Sequence, residues 1–357
     1  MTGRRAGLFA GVCVMAGLAI DWPHAQGAGP GAAPAQGAQG AAGGRRGGQP
    51  AHPTGTLTPM TPDSRGWGWQ VKASISPDTP RPFYNRAKEL LFQDKQVTSY
   101  TVSRYDPELY CEVGKHFDFV WFEMQHSTMS WDEVAKMIAA CPRVGAAPMI
   151  RMPDALEANM QKATDLGALG VIIPTVDDAL EARDAARFAR YPPIGRRSSG
   201  GGQYSLMWNA PGMNYRATIN DNMLVVVMIE TLEGVANANE IAATFGVDVV
   251  IQGNNDLSAF SGWAQSDDRY QDLLTKTHDA ALRAGKFWGN AGAQFLTGNR
   301  LSADTRFVQN GPAPDCWIPP ARGRGRSSPD EPAVGIAAGA QPTGAAPAGG
   351  GPPCVVR

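Results

Sequence analysis

The sequence predicts an α/β fold, a closed (β/α)8 TIM barrel with disordered N- and C-terminal extensions. Three observations carry that prediction. Short apolar runs alternate with amphipathic stretches from about Phe83 to Pro314. There are eight such runs, the number of strands in a closed barrel of this kind. No glycine fingerprint follows the first run, so the usual mark of an open dinucleotide-binding sheet is missing. Near-continuous apolar strands joined by helical crossovers imply a parallel sheet covered on both faces.

In chain order the predicted strands are VTSYTVS (97–103), FDFVWFEM (117–124), AAPMIRM (146–152), GVIIPTV (170–176), MLVVVMIE (223–230), VDVVIQG (247–253), KFWGNAG (286–292) and TRFVQNG (305–311). The stretches between them, such as PELYCEVGKH, SWDEVAKMIAAC, DALEANMQKATDLG and YQDLLTKTHDAALRAGK, carry helical spacing. Ser130 and Asp154 stand at expected N-caps, where a side-chain oxygen can satisfy a free amide. Gly167, Gly246 and Gly285 stand where helices should stop.

The chain has 357 residues, 43% of them hydrophobic, and a formal net charge of −1. A near-zero charge argues against nucleic acid as a partner, because phosphate binders carry a basic surplus. Residues 1–26 read as a signal peptide: the basic MTGRR is followed by AGLFAGVCVMAGLAI, too short for a comfortable membrane span. The expected protein is therefore exported, to the periplasm or the extracellular space, with no stable membrane span after cleavage. Residues 27–62 are a Gly/Ala/Pro-rich linker expected to be disordered, 83–318 form the barrel domain, and 319–357 are a low-complexity tail. Cys111, Cys141, Cys316 and Cys354 remain after signal removal, with no spacing of a metal knuckle. An oxidising compartment allows a disulfide, whose pairing the sequence does not reveal.

A barrel places its catalytic groups at the C-terminal ends of its strands. There the second run ends in Glu123 and leads to Gln125 and His126. The third ends in Arg151, the fifth in Glu230, and the sixth leads through Gly253 and Asn255 to Asp256. Glu230 and Asp256 come from adjacent strands and could converge on a hard divalent cation. Equally, each could cap a loop or pair with an arginine. The planar fork of Arg151 suits a carboxylate or keto acid, and suits a salt bridge to Glu123 or Glu230 as well. Asp165 closes a helix where an acid opposes the macrodipole, so something other than helix stability could hold it. His126 by its residue type alone is more often structural than catalytic.

The stretches FDFVWFEMQH, PMIRMPD, ATDLGALGVIIPTVDDALEARDAARFARYPPIGRR, VMIET and GVDVVIQGNNDLS resemble, in order and spacing, the HpcH/HpaI family of metal-dependent 2-keto-3-deoxy acid aldolases, related to the citrate lyase β-subunit superfamily. The resemblance runs from about Lys88 to Gly292. It implies metal ligation by Glu230 and Asp256, keto-acid contact by Arg151, and a base, His126, oriented by Asp165. It also implies that backbone around Gly253 and Asn255 receives the substrate carboxylate, with Glu123 and Gln125 beside it. The implied reaction cleaves a C–C bond of a 2-keto acid to pyruvate or a similar piece plus an aldehyde, with Mg2+, Mn2+ or Co2+ as cofactor. A Schiff base is disfavoured, because Lys286 lies at the start of its strand, the wrong end.

The chain departs from the family in places. An acidic pair normally precedes the histidine, as D-x-E-H, where this chain has Glu123-Met124-Gln125-His126. The last strand leads to GPAPDCWIPP instead of the long final helix that family members exchange between subunits. Two other readings stay open, a non-catalytic exported barrel that binds a small carboxylate and a related acyl-CoA lyase. Assembly into a homo-oligomer is left open too.

Overall fold

The structure, a computed structural model, describes residues 82–192, 194–200, 204–291 and 301–318. The expected signal peptide, linker and low-complexity tail lie outside the described residues. Helix α1 (Arg86–Phe92) precedes β1 (Val97–Val102), α2 (Pro107–His116), β2 (Phe119–Glu123), α3 (Trp131–Ala140), β3 (Ala147–Arg151), α4 (Glu157–Asp165), β4 (Gly170–Ile173) and α5 (Ala179–Phe188). Then come α6 (Tyr215–Asn222), β5 (Leu224–Ile229), α7 (Leu232–Ala236), α8 (Ala238–Ala243), β6 (Val249–Gln252), α9 (Asn254–Ser261), α10 (Asp268–Arg283), β7 (Phe287–Ala291) and β8 (Thr305–Gln309). The eight strands pair in parallel, in sequence order, and β8 returns to β1 to close the barrel. The expected fold class is what the chain adopts, with each predicted strand trimmed by one to three residues at its ends.

Strand alternation sorts the side chains into two cores. Phe119, Trp121, Met149, Val226, Ile251 and Phe307 point inward, and the rings of Phe119 and Phe307 stack with centroids 4.4 Å apart. The intervening residues, among them Phe122, Ile150, Val227 and Val250, face the helices. Each fully buried side chain of this size contributes about 1.5–3 kcal/mol, so the two-sided burial explains why the strands are apolar almost throughout.

Local signals explain most helix starts. Ser130 and Glu133 form a reciprocal capping box at α3, and Asp106 and Asp178 cap α2 and α5. Asp154 is not the cap of α4. It accepts the amide of Leu156 and the side chain of Asn159, and the helix begins two residues later than its polar sequence signal suggests. After β8 the chain runs through 311–318 without a helix. No helix among the described residues is long and apolar enough to cross a membrane.

The N-terminal mouth is closed by α1, which has no counterpart among the sequence-predicted elements. Its Ala87 and Leu91 join the inward-facing core. Asn85 donates to the carbonyls of Leu169 and Asn222, just before β4 and β5. Lys88 donates to the carbonyl of Met223 at 2.7 Å and lies 3.7 Å from Asp248. Arg190 donates to the same Asp248 at 2.8 Å, and Lys286 is buried close by, against the carbonyl of Val247. Burial pushes both lysines down to about 8.

Cys111 on α2 and Cys141 at the end of α3 form a disulfide across 30 residues. In the chain-entropy model a loop of that size stabilises the fold by about 2–4 kcal/mol. The double variant Cys111→Ala/Cys141→Ala should therefore lower the urea midpoint by an amount equivalent to that range. An unchanged midpoint would mean that packing of α2 on α3 already restrains the segment in the unfolded ensemble.

Candidate active site

At the C-terminal mouth the inward positions change from apolar to polar. Counting in twos along each strand from the inward core residues Val97, Trp121, Met149, Met228 and Phe307 leads to Thr101, Glu123, Arg151, Glu230 and Gln309. Arg151 stands between two carboxylates, with Nη1 3.3 Å from Glu123 Oε2 and Nη2 3.5 Å from Glu230 Oε1. The sequence allowed either partner, and the barrel supplies both, because β2, β3 and β5 converge here. Among the described residues, the buried Arg151 Nε has no hydrogen-bond partner.

Glu123 organises the turn after β2. Its carboxylate accepts Trp121 Nε1 at 3.1 Å and the amides of Gln125 and His126 at 3.0 and 3.1 Å, and its carbonyl accepts the Ser127 hydroxyl. The side chain therefore positions the loop from within. Gln125 is half-buried, and among the described residues its Oε1 has no partner. His126 is exposed, on the loop beside the mouth.

Glu230 is 1% exposed, and two features hold it. Its Oε2 accepts the Thr175 amide at 2.9 Å and the Thr175 hydroxyl at 3.3 Å. Thr175 takes φ 49°, a conformation a β-branched residue rarely adopts, so the backbone is strained where it reaches this carboxylate. On the other side Gly253 leaves a cradle: a Cβ there would lie 1.9 Å from Glu230 Oε1. Burial pushes the Glu230 carboxyl up, the Arg151 guanidinium and Thr175 amide pull it down, and Asp256 adds a further upward push.

Asp256 lies in the first turn of α9, half-buried, and Gly253 caps that helix. The expected loop after β6 is thus a helix N-terminus, whose first amides have no intrahelical acceptor and favour an anion. Asn254 is buried and held by Tyr270, whose hydroxyl donates to its Oδ1 at 2.8 Å, and it donates in turn to Asn290. Asn255 points its side chain out, with Gln265 3.4 Å away, so any role in the site falls to its backbone.

Asp165 requires a correction. It ends α4, which returns from the mouth to the start of β4, so it lies at the opposite end of a four-residue strand, about 13 Å long. There Arg197 pairs with it at 2.9 Å and Gln161 donates to it. The acid that seemed misplaced against the helix dipole is held by Arg197, and it does not orient His126 of the same chain.

The carboxylates of Glu230 and Asp256 fit a hard divalent cation. The charge of Asp256 acts on the Glu230 carboxyl, and the missing side chain at Gly253 lets Glu230 Oε1 lie against that backbone. Among the described residues no group of three or more His, Cys, Asp or Glu side chains is placed to enclose a metal. A cation here would complete its shell with water and substrate oxygens, as hard cations commonly do.

Sequence reasoning missed Thr175, Trp121, Thr101 and Gln309. Nothing in the residue types of IIPTV marks Thr175, because its role rests on a backbone turn. Gln309 ends a strand as Arg151 does and was within reach of the same rule.

Fold and mouth together define a (β/α)8-barrel enzyme with an acid–arginine–acid cluster at its C-terminal rim. Residues 111–304 match the model of the HpcH/HpaI aldolase/citrate lyase family, and the chain belongs to that family, as its motifs suggested. It is similar to the 4-hydroxy-4-methyl-2-oxoglutarate aldolase of Hapsidospora irregularis, 35% identical over 181 residues that cover 49% of this chain and 67% of that one. A hydroxypyruvate/pyruvate aldolase from Rhizorhabdus wittichii is 33% identical over 184 residues, covering 49% of this chain and 72% of its own. Among solved structures, the HpcH/HpaI aldolase from Desulfitobacterium hafniense DCB-2 superposes with a TM-score of 0.56 at 25% identity, over 62% of this chain and 88% of that one. The expected class, a carbon–carbon lyase, agrees with these relatives.

Proposed function

We propose that the protein is a divalent-metal-dependent aldolase that cleaves a 4-hydroxy-2-oxo acid to pyruvate, or a pyruvate-like acid, and an aldehyde. The observation that carries this reading is the buried Glu230 carboxylate, seated in the Gly253 cradle beside Asp256 and the start of α9. The relatives named for pyruvate and oxoglutarate chemistry support it.

Glu230 and Asp256 would hold the cation, which when bound supplies Lewis-acid stabilisation for the keto acid. The free amides at the start of α9 would receive the substrate carboxylate. The Arg151 guanidinium, set between Glu123 and Glu230 at the mouth, would add positive charge where negative charge gathers on the C2 oxygen. During cleavage the C3–C4 bond breaks, its electron pair passes through C3 toward the C2 oxygen as an enolate, the C4 hydroxyl loses its proton as the aldehyde forms, and C3 then takes up a proton to give pyruvate. His126, whose backbone amide donates to Glu123 on the loop beside the mouth, would take the hydroxyl proton. Glu123 itself is engaged on both oxygens and serves to position.

We also infer export. The basic-then-apolar N-terminus supports it, as does the Cys111–Cys141 disulfide, a bond characteristic of oxidising compartments.

The test is pyruvate release from racemic 4-hydroxy-2-oxo acids before and after EDTA, then with Mg2+, Mn2+ or Co2+ restored. Activity should vanish on chelation and return with metal. Activity indifferent to EDTA would remove the cation from the mechanism. His126→Ala should lower kcat by about 100-fold or more while sparing metal affinity, and a fully active variant would show that the base lies elsewhere.

A further inference from the structure

We propose that Thr101 and Gln309 form the subsite for the aldehyde half of the substrate, and that they select an uncharged, hydroxylated aldehyde. The inference rests on the aldolase reading above and adds to it the part of the substrate that this reading leaves unspecified.

Glu123, Arg151, Glu230 and the start of α9 occupy the mouth at β2, β3, β5 and β6, and together they take up the charged keto-acid end. In a closed eight-strand order β1 lies diametrically across from β5, with β8 beside it. A substrate anchored at Glu230 and Arg151 therefore extends toward β8 and β1. The inward residues there are Thr101 and Gln309, in the same inward-facing rows as Val97 and Phe307.

This pair is held in place. Gln309 Nε2 donates to Thr101 Oγ1 at 3.3 Å. Behind it the chain turns at Asn310, which takes φ 54°, accepts the Thr101 amide at 3.1 Å and donates its own amide to Ser99 Oγ at 3.3 Å. Asparagine tolerates that left-handed conformation better than most residues. The turn fixes both backbones, so the two side chains are presented by rigid strand ends.

Their hydrogen-bonding capacity is only partly used. Among the described residues, Gln309 commits one of its two N–H donors and retains its amide oxygen, and Thr101 retains its hydroxyl proton. Gln309 is half-buried, which leaves it reachable from the mouth. A substrate hydroxyl, both donor and acceptor, can pair with such a neutral amide–hydroxyl pair. The inward ends of β1 and β8, Thr101 and Gln309, carry no charge, so a second carboxylate would be partly desolvated beside them without an ion pair from either. Arg104, in the loop after β1, is exposed and lies 3.7 Å from Asp106.

The experiment compares kcat/KM for aldol addition of pyruvate to glyceraldehyde, propanal and glyoxylate, using the full chain with Mg2+ or Mn2+. The wild-type protein should prefer glyceraldehyde over propanal, and over glyoxylate. Gln309→Met and Thr101→Val should each lower the glyceraldehyde/propanal ratio by about tenfold, the scale of one well-placed hydrogen bond. Propanal turnover should stay within about threefold of wild type, since that substrate never used the lost hydrogen bond. Retained propanal turnover also shows that the variants fold and hold their metal. An unchanged ratio, an equal loss on both aldehydes, or a wild-type preference for glyoxylate would overturn the subsite while leaving the aldolase reading intact. A wild-type protein that adds pyruvate to none of the three would overturn the aldolase reading and this inference with it.

Discussion

Gly253→Ala should reduce kcat/KM by more than about 100-fold, the scale on which a misplacement of about 1 Å disrupts a reacting geometry. The added methyl would lie 1.9 Å from Glu230 Oε1 and 2.6 Å from Glu230 Cδ, far inside contact distance. Glu230 has nowhere convenient to go: Thr175 holds its other oxygen and Arg151 flanks it. Either the carboxylate swings off both partners or the start of α9 moves, carrying Asp256 with it. The stability cost should be modest, about 1–3 kcal/mol as for other overpacked sites, so the variant should remain folded. The informative measurement is Mn2+ affinity by titration, taken together with kcat/KM. Weakened metal binding in a folded variant is the expected result. Near-normal affinity and turnover would mean that Glu230 is not a ligand.

Asp248→Asn is the second large effect, this time on stability. Asp248 lies at the start of β6, at the opposite end of the barrel. Its Oδ2 accepts the Val225 amide and the Arg190 guanidinium, both at 2.8 Å, while Lys88 and Lys286 are buried nearby. The amide keeps the shape and removes the charge that balances these cations. Removing one partner of a buried ion pair costs about 3–5 kcal/mol, a large part of the stability of an ordinary domain. Urea denaturation at neutral pH should show a loss on that scale, with metal-dependent chemistry unchanged in whatever fraction stays folded. A loss under about 1 kcal/mol, the value of an ordinary hydrogen bond, would show that other groups carry the charge balance.

Much of the mouth was legible in the sequence, because it consists of charged residues at the ends of apolar runs. Arg151 and Glu230 stand out in PMIRM and VMIET for that reason, and Asp256 follows its run closely enough for the same argument. Asp165 shows the limit of this reasoning. Its place at a helix end was correct, but an acid at the end of a returning helix belongs to the far face, where Arg197 meets it. Thr175 was not legible, since its contribution is an amide and a strained φ, neither of which residue type encodes. The same holds for α1 and for the cations around Asp248: each residue is unremarkable alone, and only closure of the barrel brings Lys88, Arg190 and Lys286 together.

The sequence by itself determined the barrel and the charged residues at the ends of its strands, because alternation of apolar and polar positions is a local property read one element at a time. Family membership followed from motifs of the same local kind. Only the tertiary structure decided that Arg151 serves two carboxylates at once, that Gly253 exists to admit Glu230, that Cys111 pairs with Cys141, and that Thr101 and Gln309 face the site from across the mouth. Those relations join residues separated by tens to hundreds of positions, and ring closure of the sheet is what sets their distances.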